Sequence, residues 1–209
     1  MDAVNLLATT LGVGFAAGLR LYATVLGLGL AIRFNLLHLP DAMKGLDVLA
    51  HPAVLIAAGV AYVIEFVSDK VPWVDSLWDS VHTIIRPVGA ALLAATAFAT
   101  LEPATRMVLT ILCGGVALSA HASKAATRLA VNQSPEPFSN IALSMVGDFA
   151  APFMLWLTAT HPLVTLGVVI TFLVIFVWIV RKIIGVLRRG ISRLTQHFSP
   201  GAPGDTSAR

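Results

Sequence analysis

Apolar residues fill most of this chain in long runs separated by short polar stretches. A bilayer's hydrocarbon core, roughly 30 Å thick, takes about 20 apolar residues as one helical crossing. Six runs of this kind can be read: Val4 to Ala31, Ala53 to Val67, Thr83 to Thr100, Thr105 to Leu129, Ser139 to Ala159 and Leu163 to Val180. The pattern predicts an all-α polytopic membrane protein of about six transmembrane helices occupying residues 1–182, with a charged interfacial helix after the second span. A basic amphipathic juxtamembrane helix is expected over 183–198 and a disordered tail over 199–209. Composition agrees, since 57% of the residues are hydrophobic and 12% charged, with a mean hydropathy of +0.84, more apolar surface than a soluble domain of this length can bury.

Charge sets the orientation. Arg181, Lys182, Arg188, Arg189 and Arg193 follow the last apolar run directly. By the positive-inside rule this end is cytoplasmic, and with six spans so is the N-terminus. Lys70, Arg86, Lys124 and Arg128 then fall on the same side, and a bacterial inner membrane is the expected location. The basic charge is a membrane-side feature and points to no nucleic-acid partner. Asp2 follows Met1 and no Lys or Arg precedes Arg20, so the first run lacks the basic start of a signal peptide and is expected to stay as a helix. The single Cys113 leaves no disulfide and no cysteine cluster for zinc.

A weak repeat relates the two halves. Pro52 precedes Glu65 by thirteen residues and Pro135 precedes Asp148 by the same interval, each proline opening an apolar helix with an acid in its third or fourth turn. Repeats over 1–101 and 102–182, three spans each, would have opposite orientation, a common construction of secondary transporters with sites where the halves meet.

The candidate chemistry is concentrated. Four of the eleven carboxylates lie between Glu65 and Asp79, among apolar neighbours where an ionised group must be paired, hydrated or metal-bound. Glu65 and Asp69 share a helical face, and their repulsion requires a cation, a shared proton or a basic neighbour such as Arg20, Lys70 or Arg86. After Val71-Pro72 a new helix is predicted on which Asp75, Asp79, His82 and Arg86 form one stripe at i, i+4, i+7 and i+11. Asp75, Asp79 and His82 suit a hard divalent ion such as Mn²⁺ or Mg²⁺; alternatively this is an interfacial helix with Trp73 and Trp78 at headgroup level and its acids solvated. His121, Lys124 and Arg128 recur at helical spacing, able to bind a phosphate, to balance the acids, or to anchor a helix end. Asp148 is the intramembrane acid of the second half, next to Gly147, which would admit another backbone. Arg20 sits on a glycine-rich helix that either packs closely or breaks at midplane, with Glu65 or Asp148 as its expected partner. Ser139 or Asn140 would cap the fifth span, and Glu136 lies in the turn before it.

The run from Glu65 to Pro87, together with Ser134-Pro-Glu136-Pro-Phe-Ser-Asn140, resembles the integral-membrane family catalogued as domain of unknown function 4126. That resemblance implies a membrane protein with a fixed charged motif and no particular activity. A more distant architectural likeness is to cation/proton exchangers carrying a Glu-x-Gly-Asp motif in each of two inverted three-helix repeats. Here Glu65 and Asp69 are one residue further apart, and Gly147-Asp148 matches the motif's centre.

Three functions fit these residues. In the first, a small secondary transporter or exchanger moves a cation, divalent ions included, or protons along Glu65, Asp148, Asp69, Asp75, Asp79 and His82. In the second, a carrier or receptor holds a phosphorylated or lipid headgroup with Arg20, Lys70, Arg86, His121, Lys124 and Arg128, which would converge on one cavity. In the third, a membrane scaffold uses the motif only to fix a loop. The expected partners are the bilayer, a small ion or molecule and a second copy of the chain. No cofactor beyond a bound cation is implied, and no nucleophile motif or phosphate loop marks an enzyme.

Overall fold

The computed structural model describes residues 2–37, 39–131 and 137–198. Among these the regular structure is entirely helical. The elements are α1 (Ala3–Leu19), α2 (Leu21–Arg33), a 3-10 segment (Asp41–Ala50), α3 (Pro52–Ser68), α4 (Pro72–Ala97), α5 (Pro103–Val131), α6 (Pro137–Thr160) and α7 (Pro162–Phe198). Proline is the first residue of every helix from α3 to α7, where its fixed φ suits the helix and its missing N–H has no partner to lose. α2 stops in a Schellman arrangement: Asn35 takes φ 57°, and Leu36 N–H and Asn35 N–H donate to the Ala31 and Ile32 carbonyls at 2.8 and 3.1 Å. Glu102 caps α5, accepting from Ala104 and Thr105 N–H at 3.0 Å each. These two bonds hold its carboxyl below the ordinary glutamate pKa.

Four helices are long and apolar enough to cross a membrane: Val74–Ala97, Pro103–Val131, Ile141–Thr160 and Pro162–Arg189. The 3-10 segment and α3, bent by 71°, make a fifth if taken together. The protein is therefore an integral membrane protein with four to five candidate spans, and α1 and α2 are shorter apolar helices.

The first apolar run breaks into two helices at Arg20, one of the two alternatives its glycines allowed, and the chain leaves helical geometry there with φ −149° and ψ 87°. One element differs from the sequence expectation: the charged stripe is no separate interfacial helix with solvated acids. It is the first half of α4, which continues through Pro87, and Asp75, Asp79, His82 and Arg86 are all buried. Packing against α1 and α5 covers this face, so the stripe meets protein where a headgroup layer was expected. The turn with Glu136 and Pro135 and the tail 199–209 lie outside the described residues.

The chain divides into two units, Met1–Thr171 and Phe172–Arg209. In the first, the core is built from small residues: Ala16, Ala17, Ala90 and Ala117 are completely buried, and α1 packs on α4 and α5 with α6 on its other side. Without a hydrophobic drive between helices in lipid, such residues let backbones approach and gain dispersion contacts. A Cβ on Gly14 would lie 2.7 Å from the Cys113 carbonyl oxygen, and one on Gly18 would collide with Ala117. In the second unit α7 runs on as helix to Phe198, its apolar residues giving way to Arg181 and Lys182, with Lys182 Nζ 4.1 Å from the Trp178 ring centre.

Gly14→Ala is expected to lower stability by about 1–3 kcal/mol through overpacking. Gly115→Ala, whose Cβ would meet nothing within 4 Å, should not. Unfolding in mixed micelles measures both.

Candidate functional site

The break at Arg20 exposes the end of α1. Carbonyls that would bond the next turn are left over, and cations from other helices use them: Arg86 Nη1 donates to the Gly18 carbonyl at 3.3 Å and Lys124 Nζ to that of Leu19 at 3.4 Å. Cations also suit the negative end of a helix dipole. Arg20 itself remains tied to both helices, its N–H bonded to the Ala16 carbonyl at 2.9 Å and its carbonyl to Thr24 N–H at 3.0 Å. Its side chain turns into the bundle, fully buried.

From there a continuous ion-pair network extends. Arg20 pairs with Asp69 through Nη1 and with Asp148 through Nη2, the latter at 2.8 Å. Nη2 also donates to the Ser144 carbonyl and hydroxyl at 3.1 and 3.0 Å. Lys70 reaches the other oxygen of Asp148 at 3.5 Å. Asp69 next receives Lys124 at 3.1 Å and Arg128 at 3.1 Å. Arg128 Nη1 sits against Asp75 as well and lies 3.6 Å from Asp79. Asp79 is 3.7 Å from Arg86 Nη2, which holds Glu65 at 2.7 Å.

The network joins five carboxylates, Glu65, Asp69, Asp75, Asp79 and Asp148, to five basic groups, Arg20, Lys70, Arg86, Lys124 and Arg128. Its more open end is Lys70 with Asp148, whose side chains are 27% and 12% exposed. There desolvation pulls the Lys70 ammonium below the ordinary lysine pKa, against the opposing pull of Asp148.

Two buried histidines have both ring nitrogens engaged. His82 Nδ1 lies 2.8 Å from the Trp78 carbonyl, which only accepts, so this nitrogen carries a hydrogen; Nε2 lies 3.2 Å from the Tyr22 hydroxyl. His121 Nε2 donates to the Asp79 carbonyl at 3.0 Å, and its Nδ1 accepts from Arg86 Nη1 at 2.8 Å. A second hydrogen on His121 would point at a guanidinium that only donates.

The site residues expected from the sequence are the ten members of this network together with His121, which hydrogen-bonds Arg86 beside it, and His82, which bonds Tyr22 and stacks on Trp78. The structure selects among the alternatives left open by the sequence: Arg20 takes Asp148 and also Asp69, and Glu65 takes Arg86. Lys124 and Arg128 are buried partners of acids; they do not snorkel from a helix end. Gly147 faces the Arg20 side chain, 3.5 Å from where its Cβ would be, and admits no second backbone. The close group of acids is Asp69, Asp75 and Asp79, with one oxygen of each within 4.8 Å of the others. His82 is not part of it, since both ring nitrogens have other partners. Hard oxygen ligands suit a divalent or alkali cation, and the Arg128 guanidinium lies against all three, so a metal there would have to displace it.

Sequence reasoning missed Tyr22, Ser144 and the Gly18 and Leu19 carbonyls as parts of the site. Ser144 is one turn before Asp148, and that spacing was a usable signal. The carbonyls carried none, because they become acceptors only through the break.

Removing Arg20 takes one cation from two acids, leaving Asp69 with Lys124 and Arg128 and Asp148 with Lys70. Arg20→Met is expected to cost about 3 kcal/mol, the low end of the loss for breaking a buried pair. Ser144→Ala, which removes one hydrogen bond to the same guanidinium, should cost nearer about 1 kcal/mol. Mixed-micelle unfolding compares them.

No curated protein and no solved structure matches the chain. The sequence model of the family described as domain of unknown function (DUF4126) matches residues 7–182, a span that contains every member of the ion-pair network, and the chain belongs to that family.

Proposed function

We propose that this protein is a small secondary transporter that carries a cation or protons, with Asp69, Asp75 and Asp79 as the ion-binding position and Arg128 and Lys124 as tethered cations that hold it between ions. One observation carries the reading: three buried carboxylates from the two sides of the α3–α4 connection converge on a single guanidinium, among apolar helices that keep water from them. Such a cluster favours a positive occupant, and an occupant covalently attached to α5 can be exchanged for a free one without leaving the acids uncompensated. A break in an apolar helix beside the cluster supports the same reading, because unwound backbone and half-helix ends are recurrent parts of transport sites.

The proposal takes α1 and α2 together as one interrupted crossing and the 3-10 segment with α3 as another. Six crossings result, three in each of the repeats 1–101 and 102–182, with both termini cytoplasmic. Asp148 and Lys70 form the entrance, and Glu65 with Arg86 the far end. No catalytic role is assigned to any residue. The headgroup carrier is disfavoured because Arg20, Lys70, Arg86, Lys124 and Arg128 are each matched to an acid, and His121 is engaged with Arg86 and the Asp79 carbonyl. The scaffold reading draws support from the same matching, and the experiment separates it from transport.

The test is flux in proteoliposomes of the purified protein, with Mn²⁺, Mg²⁺, Ca²⁺, Na⁺ and K⁺ in turn and a pH dye inside. Flux of one ion or of protons is expected, lost in Asp75→Asn and Glu65→Gln variants that remain folded. Absence of flux for every ion from folded protein would sink the transporter and leave the network as scaffold.

A further inference from the structure

Above the charged network the same helices enclose an apolar groove of about 480 Å³, within the range of small-molecule pockets. Its floor is Leu21 of α2, Leu49 of the 3-10 segment, Ala58 of α3 and Leu93 of α4, each at most 7% exposed. At its rim Val48 and Leu92 are 52% and 62% exposed, so it opens to the surroundings of the helices. The groove and the network are successive levels of one crevice. Along α3 the wall residues Ala58 and Ala61 lead at helical spacing to Glu65, and along α4 Leu93 and Gly89 lead to Arg86. Tyr22 joins the levels, lining the groove while its hydroxyl bonds His82.

We infer that this groove binds one hydrocarbon chain of a bilayer lipid. The medium at the rim selects the occupant. The neighbouring outward side chains are apolar, with Val60 56% and Val63 59% exposed, so the rim faces acyl chains. A void of this size with apolar walls gains dispersion contacts when filled by hydrocarbon and offers water no partners. The wall has two polar side chains, Tyr22, whose hydroxyl is already engaged with His82, and Thr96, and it carries no charged group to call for a polar ligand. Small residues at Ala57, Ala58 and Ala61 keep the slot open to a chain, Gly89 lets the Leu21 side chain pack close to α4, and α3 touches α4 sparsely along it, the Glu65–Arg86 pair joining the two at one end. A bound chain thus completes the packing of α3 on α4 and lies against the residue that contacts His82.

The experiment uses full-length protein in vesicles containing a phosphatidylcholine with a photoactivatable diazirine in one acyl chain, with adducts mapped by mass spectrometry. Labelling on the Leu21–Val25 and Gly89–Leu93 stretches is expected to exceed severalfold that at Val174, an outward residue 64% exposed. Ala61→Phe should fill the slot and abolish the excess while leaving Val174 labelling unchanged. Val25→Trp does the same from the opposite wall if Ala61→Phe fails to fold. Labelling no higher than at Val174, an excess that survives both substitutions, or crosslinks from the rim to a second copy of the chain would overturn the inference.

Discussion

Five acids and five bases are held among apolar helices, and the cost of taking each ion from water, several kcal/mol even after relaxation, is compensated only by its partners. Much else in the fold follows from that requirement. Charges contributed by α3, α4, α5 and α6, by the Arg20 break and by the α3–α4 connection must meet within ion-pair reach, which fixes the register of the helices. The small residues of α1 and α5 serve this end, since bulkier ones would hold the backbones too far apart for Lys124 and Arg86 to reach the Leu19 and Gly18 carbonyls.

The interruption at Arg20 is part of the same arrangement. A continuous helix would use the Gly18 and Leu19 carbonyls internally. The break gives them to the cations of α4 and α5 and turns Arg20 towards Asp69 and Asp148. The acids in turn come from two sequence neighbourhoods, 65–79 and 148, so Arg20 is the joint between α6 and the motif that follows α3. Asp69 is the most shared of the carboxylates, meeting Arg20, Lys124 and Arg128, and for that reason links the two sides.

Much of this was legible in the residues. Charge is scarce in such a chain, so the stretch from Glu65 to Arg86 marked itself, and the i, i+4, i+7, i+11 spacing placed Asp75, Asp79, His82 and Arg86 on one face as found. Proline at Pro52 and Pro72 marked helix starts for a local steric reason. What local pattern could not specify was which cation met which acid. Glu65 had Arg20, Lys70 and Arg86 as equal candidates, and only the packing of α3 on α4 selects Arg86. Lys124 and Arg128 could be read as helix-end anchors as well as partners of the acids, because the acids they meet are distant in sequence. The stripe of α4 read as interfacial because Trp73 and Trp78 flank it, whereas burial of its polar face depends on α1 and α5.

The central claim is that buried charges here are stabilising only as matched sets. A double-mutant cycle on Arg128 and Asp75, followed by unfolding in mixed micelles, tests it most directly. Arg128→Met leaves Asp69, Asp75 and Asp79 close together without their shared cation, so the account predicts that adding Asp75→Asn recovers part of the loss and makes the double variant more stable than Arg128→Met alone. Losses that simply add would mean that these groups do not depend on one another, and would contradict the account.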